Sequence, residues 1–193
     1  MIRRAASHDL DAVEQIYMQN FISERRNEAR FSGWIAGVWP NRTAVRRAIA
    51  KGELCALWDG EEIVAAMIMR RGQPDEYEAL RWAVRSFPSQ VISFDLLCVS
   101  PLRLRVGLGT QLLHYAVGTA QRTRSRAVRC HCRSGNAPMR ALLEKTGFVL
   151  ACERKADFPT GIGELAAYYE YDTVPPRPRG NEPRLFRGGV SVV

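Results

Sequence analysis

Gly107 and Gly109 follow an apolar run, VISFDLLCVSP, and open the segment LRLRVGLGTQLLHYAVGTAQ, so that strand, tight turn and helix succeed one another between Val91 and Gln121. The first turn of a helix has N–H groups without helical partners and a positive dipole end, and the two together hold a phosphate. Glycine there lets the ligand approach the backbone with no Cβ in the way. Two nearby residues can move protons. Asp95 stands on the apolar run four residues before Val99, where a carboxylate is costly unless paired or wet. His131, in a second β-rich run from Val128 to Arg133, titrates near neutral pH. These residue types together describe a phosphate-bearing ligand brought to a site with a general base.

The spacing narrows the ligand. No Lys follows the glycines, as a nucleoside triphosphatase loop requires, and Leu112 stands where a dinucleotide fingerprint has its third Gly. Coenzyme A remains. Here the chain resembles the GNAT superfamily of N-acetyltransferases, with Val99, Pro101, Gly107 and Gly109 reproducing the spacing of its signature. Leu104 takes the position of the family's Arg or Gln, with Arg103 and Arg105 on either side. A second block, SGNAPMRALLEKTGFVL, is similar to the family's later Asn, short helix ending in Glu-Lys, and Gly-Phe before a strand. The resemblance covers residues 1 to 172 and is strongest from 91 to 150.

It implies an α/β (α+β) fold: a mixed, mostly antiparallel sheet with a splay between two parallel strands, flanked by helices, with the pantetheine arm of acetyl-CoA in the splay. It implies that the backbone of Leu97, Cys98 and Val99 polarises the thioester. Arg103, Arg105, Val106, Gly107, Leu108, Gly109 and Thr110 then receive the diphosphate, and Asn136 meets the coenzyme arm or simply caps its helix. Leu143 occupies the place of a Tyr that points at the coenzyme sulfur. Gly109→Trp is expected to block cofactor binding and leave the fold intact.

Acetyl transfer to an amine needs a neutral amine, a polarised carbonyl and a thiolate able to leave, and requires no metal. Asp95 and His131 are the two candidate bases, and neighbouring strands would bring them into an ion pair; Glu76 and Glu78 are rivals. With Tyr absent at Leu143, Tyr115, Tyr168 and Tyr169 are candidate acids. The two thiols of Cys130-His131-Cys132 face away from the imidazole on a strand, so the three do not converge on a metal. Cys98 and Cys132 read as small core residues.

The elements that must position these groups follow from periodicity. Ile2 to Ala6 is a strand, and Ser7-His8-Asp9 caps a helix carrying Leu10, Val13, Ile16 and Tyr17. A second helix starts near Asn41 or Thr43 and runs to Gly52. Leu54–Trp58 and Ile63–Met69 form a hairpin around Asp59-Gly60. GQPDEYEALRWAVRSFP is an insertion, expected to be helical from Pro74 to about Arg85 and to lie near the acceptor. The helix from Gly107 buries Leu108, Leu112, Ala116 and Ala120. Phe148–Arg154 and Leu165–Tyr171 are the last strands, joined by a loop holding Pro159, Gly161 and Gly163.

The chain has 193 residues, of which 46% are hydrophobic, which suits one folded domain, 1–172, with a tail from 173 to 193. The five cysteines include no CxxC pair, the N-terminus has no apolar leader, and no apolar run reaches the roughly 18 residues of a membrane span. These features point to a cytoplasmic protein with reduced thiols and no membrane partner. The net charge is +8, but part of it lies in the tail, where Arg177, Arg179, Arg184 and Arg187 face only Glu182. Nucleic acid is therefore a minor reading beside an anionic cofactor. The expected partners are acetyl-CoA and an amine acceptor, a small molecule slightly favoured over a protein. The Pro/Arg/Gly-rich tail is either loose or an arm packed on the second subunit of a homodimer. A coenzyme-binding module with little turnover is the alternative function.

Overall fold

Apolar residues at period two in the strands and at period 3.6 in the helices give a sheet covered on both faces. The computed structural model describes residues 1–174. The strands are β1 (Ile2–Arg4), β2 (Leu54–Asp59), β3 (Glu62–Arg71), β4 (Val91–Val99), β5 (Ala127–Arg133), β6 (Val149–Phe158) and β7 (Gly161–Asp172), and the helices are α1 (Leu10–Arg26), α2 (Arg42–Ala50), α3 (Leu108–Arg122) and α4 (Ala137–Lys145). One sheet joins all seven strands in the order β1-β2-β3-β4-β5-β7-β6. Every neighbouring pair is antiparallel except β4 and β5. This is the mixed, mostly antiparallel layout expected from the sequence.

Local chemistry starts the elements where the sequence signals them. Asn41 Oδ1 accepts the Ala44 N–H at 3.0 Å and caps α2. Gly60 turns the β2–β3 hairpin at φ +62°. Leu112, Leu113, Ala116, Val117 and Ala120 of α3 pack on Ile92 and Phe94 of β4 and Val128 and Cys130 of β5. On the opposite face Val13, Ile16 and Tyr17 of α1 and Val45, Ala48 and Ile49 of α2 cover β2 and β3. Among the described residues, no helix is long and apolar enough to cross a membrane.

The strand pair that matters for function comes apart. β4 and β5 are in register only at Val91↔Ala127, Ile92↔Val128 and Ser93↔Arg129. Beyond Ser93, β4 pairs with β3 alone and β5 with β7 alone. A bulge sharpens the divergence: between Ala66↔Cys98 and Ile68↔Asp95, Leu96 and Leu97 oppose the single residue Met67. Leu96 sits at φ +49° to make it. The bulge also shifts the side-chain alternation, so Leu97 and Val99 pack toward α3 while Asp95 stays on the other face.

Two expectations need correction. The insertion is not a helix from Pro74 to Arg85; it contains one 3₁₀ turn, Asp75–Tyr77, and otherwise crosses the sheet as irregular chain. Tyr77 and the Ala83–Val84 backbone are spent on tertiary contacts rather than on helical ones. The loop expected around Pro159 is short, because β6 runs on to Phe158 and β7 already starts at Gly161. The tail lies outside the described residues from position 175 onward.

Candidate active site

A cleft of ≈ 920 Å³ opens where β4 and β5 diverge, bounded by the start of α3 on one side and by α1, the insertion and the β6–β7 hairpin on the other. At the α3 end the chain passes Arg105 at φ +64° and Gly107 at φ +84° before the helix begins. The backbone N–H groups from Arg105 to Thr110 have no acceptor among the described residues. A Cβ on Gly107 would meet nothing within 4 Å. Ungapped donors around an open turn fit an anion of diphosphate size. Arg103 is held by Asp59 and Glu62 at 3.2 and 3.4 Å, whereas Arg105 makes no ion pair among the described residues. On β4 the Ser100 N–H is used by Val64 O, so by the two-residue alternation the Val99 N–H faces the splay, with Leu97 in the bulge just before it.

The proton-handling groups sit across the cleft on the other face of the sheet. Asp95 Oδ2 accepts from Arg70 Nη1 at 2.8 Å, while Oδ1 has no hydrogen-bond partner. The side chain is 34% exposed and borders the cleft, while Oδ1 itself is buried. Burial raises the Asp95 pKa and the Arg70 charge partly offsets this. His131 is not its ion partner. The imidazole Nδ1 instead lies 2.8 Å from the Tyr77 hydroxyl, whose phenol burial holds well above its usual pKa. The contact ties the hydroxyl to the tautomer: with Tyr77 donating, a neutral ring carries its proton on Nε2. Burial also lowers the His131 pKa, with Glu76 and Asp95 pulling the other way. His131 is thus tied through Nδ1 to the insertion, and Asp95 keeps one carboxylate oxygen without a partner among the described residues.

The pattern of the acetyltransferase (GNAT) family matches residues 10–148. The chain belongs to this family. No curated protein sequence matches it at a significant level. Among solved structures, a GNAT-family acetyltransferase of Streptococcus agalactiae superposes with a TM-score of 0.74 at 16% identity, covering 89% of this chain and 94% of that one. The ribosomal-protein-S18-alanine N-acetyltransferase of Escherichia coli gives 0.63 at 19% identity over 90% and 93%. A ribosomal-protein-alanine N-acetyltransferase of Brucella melitensis gives 0.64 at 14% over 89% and 99%. At these identities the likeness is one of fold.

Within this GNAT chain the expected site residues divide. Leu97, Cys98, Val99, Arg103, Arg105, Gly107, Leu108, Gly109, Thr110, Asn136, Asp95 and His131 all border the one cleft. Val106 does not; it is exposed at the apex of the turn. Leu143 does not either, being fully buried in the core between α4 and the sheet, with Leu142 taking the cleft side. Gly109 faces Leu142, whose Cδ2 would stand 2.8 Å from a Cβ there. A side chain at Gly109 would therefore displace the Leu142 side chain, which itself borders the cleft. Asn136 Oδ1 accepts from Met139 N at 3.1 Å, so it is a helix cap while lining the cleft.

None of the candidate acids reaches the cleft. Tyr169 is tied between Arg140 Nε at 3.1 Å and Glu144 Oε1 at 2.8 Å, with its pKa raised to about 12 by burial, and Tyr115 and Tyr168 pack elsewhere. Burial raises the Cys98 thiol well above its ordinary value and Cys132 to about 12, as core thiols require. Cys130 and Cys132 lie on the α3 face and His131 on the other.

Two contributors went unread in the sequence, and a third was read without its partner. Asn20 Nδ2 reaches Ile16 O, Cys98 Sγ and Val99 O at 2.8 to 3.0 Å and fixes α1 to the end of β4. Its signal was a polar residue on the buried stripe Val13, Ile16, Tyr17. Arg70 closes an apolar strand, a position that calls for a partner. Tyr77 reads in the sequence as an aromatic that lines the acceptor pocket or packs on the core, and its contact with His131 had no signal there. Arg70→Met removes the charge that offsets burial at Asp95, so the Asp95 pKa should rise further. The acid limb of the pH profile of kcat/KM is then expected to move to higher pH; an unmoved limb would separate Asp95 from the titration.

Proposed function

We propose that this chain is an N-acetyltransferase that moves the acetyl group of acetyl-CoA to a primary amine by direct attack within one cleft. The carrying observation is that unpaired backbone donors on α3 and β4 face the same splay that Asp95 borders from the opposite face. The family generally uses acetyl-CoA, which supplies a thioester activated for acyl transfer. The turn from Arg105 to Thr110 binds its diphosphate, with Arg105, which makes no ion pair among the described residues, as the adjacent cation. The Val99 N–H group points to where the carbonyl oxygen acquires charge. Once the ammonium has given one proton to solvent, the neutral nitrogen bonds to the carbonyl carbon as the carbon–sulfur bond breaks, and the proton then surplus on nitrogen passes to Asp95. With no tyrosine bordering the cleft among the described residues, the sulfur leaves as thiolate, whose conjugate acid is moderately weak at a pKa of ~8.5 for an ordinary thiol.

Charge along the cleft supports an amine acceptor. Arg105 and Lys145 lie at the coenzyme end, whereas Glu24, Glu76, Asp95 and Asp157 border the other half, where Arg133 is engaged by Glu164. An acidic half collects an acceptor that is cationic in solution. The insertion and the β6–β7 hairpin wall that half, which favours a small amine over a protein chain. Calorimetric titration with acetyl-CoA, followed by mass analysis of a panel of amines after incubation, tests the reading. Acetylated amine is the expected product; a chain that binds no acetyl-CoA overturns it.

A further inference from the structure

Among the described residues, the most buried charged side chain lies outside the cleft lining. Arg129 on β5 and Glu170 on β7 have side chains only 2% and 5% exposed, with Arg129 Nε 3.3 Å from Glu170 Oε2. Two charges taken from water are tolerated when every polar atom finds a partner. Here the partners come from one segment. Arg129 Nη1 donates to Gln73 Oε1 at 2.6 Å and Nη2 to Val84 O at 2.7 Å. Glu170 Oε1 accepts from the Ala83 and Val84 N–H groups at 2.6 and 3.0 Å. The guanidinium also lies 4.4 Å from the Trp82 ring centroid, and Trp82 Nε1 donates to Tyr77 O at 2.9 Å. One buried ion pair thus grips both ends of the irregular chain between Gln73 and Val84.

We propose that Arg129 and Glu170 are positioning residues: a clasp that holds the 73–87 strap against β5 and β7, and through it sets Tyr77 on His131 and Glu76 in the acceptor half of the cleft. A strap with one 3₁₀ turn and mostly exposed side chains has no hydrogen-bond ladder of its own to fix it. The clasp supplies that order. From it the connection to the cleft is short: Trp82 to Tyr77, and Tyr77 to His131 Nδ1 at 2.8 Å. The burial of Tyr77 against Tyr168 completes the seat.

The last step, to the acceptor, rests on the function proposed above; the clasp itself does not. Arg129→Lys and Glu170→Gln test it in the full chain, and Gln73→Ala tests it from the strap side without altering the buried pair. Two readouts need no turnover. Amide hydrogen exchange over residues 73–87 is expected to quicken at least tenfold in the variants while β5 and β7 stay protected, and ¹⁵N imidazole spectra of His131 should pass from the Nε2-protonated tautomer to a mixture. Exchange that rises equally in the strands, or a His131 spectrum that does not change, overturns the clasp. In the acetylation assay the acceptor KM should rise about tenfold with the acetyl-CoA Kd within twofold. A KM that stays put while the strap exchanges faster removes the strap from the acceptor half. Absence of any acetylation by the unaltered chain counts against the proposed function, and the exchange and tautomer results still decide the clasp.

Discussion

Replacing Asp95 by Asn is expected to lower kcat/KM for the amine by about 10²- to 10⁴-fold, the usual contribution of a positioned base. The substitution keeps the shape of the side chain and an oxygen for Arg70 Nη1, so packing on β4 is preserved. It removes the site that takes the amine's proton. Arg70 keeps Glu53 at 3.7 Å, which limits the cost of leaving the guanidinium with a neutral neighbour. The pH profile gives the sharper result. Because burial raises the Asp95 pKa, the unaltered chain should lose activity as pH falls through a limb above the ordinary carboxylate range, as the carboxylate takes up a proton. In Asp95→Asn that limb should vanish. Activity within threefold of the parent, or a limb that persists, assigns the base elsewhere. His131→Gln gives the contrast: with Nδ1 occupied by Tyr77, the account assigns it a hydrogen-bonding role and a smaller loss, on the order of one lost hydrogen bond, about 1 kcal/mol.

Gly107→Val should abolish tight acetyl-CoA binding, with Kd rising at least ~30-fold, equivalent to about 2 kcal/mol at 1.4 kcal/mol per tenfold. Nothing lies within 4 Å of the position a Cβ would take, so the substitution meets no steric obstacle and acts through the backbone alone. At φ +84° a β-branched residue is strained, and the turn relaxes by rotating toward negative φ. That rotation redirects the N–H groups at the start of α3 away from the cleft. The helix keeps its buried stripe on the sheet, so thermal stability should fall only slightly. Calorimetry and a melting curve on the same preparation separate the two effects. Unchanged affinity would remove the turn from the binding site, and a collapse in melting temperature would make Gly107 a folding residue first.

The elements of this fold were legible wherever local chemistry decides them. The Asp59-Gly60 turn, the Asn41 cap and the stripe on α3 each stand in the sequence as they stand in the structure. Asp95 and the α3 turn were legible for a related reason: a carboxylate on an apolar strand and glycines before a helix are local anomalies. What escaped was set by tertiary partners. The insertion GQPDEYEALRWAVRSFP has helical propensity, yet its backbone is claimed by Arg129 and Glu170, residues 45 and more positions away in sequence. The Asp95–His131 pairing failed for the same reason, since Arg70 and Tyr77 reach each group first. Leu143 was assigned by alignment with a family position; its side chain lies in the core. The bulge at Leu96 and Leu97, which decides which β4 side chains meet the cleft, had no signal beyond an uninterrupted apolar run.

Initial rates of thiol release, with acetyl-CoA and the acceptor amine varied against each other, test the central claim most directly. Attack within one cleft requires both substrates to be bound together, so release should depend on the amine and the double-reciprocal lines should intersect. Parallel lines, the mark of an acetylated protein intermediate, would contradict the account, and so would release that proceeds at the same rate without any amine.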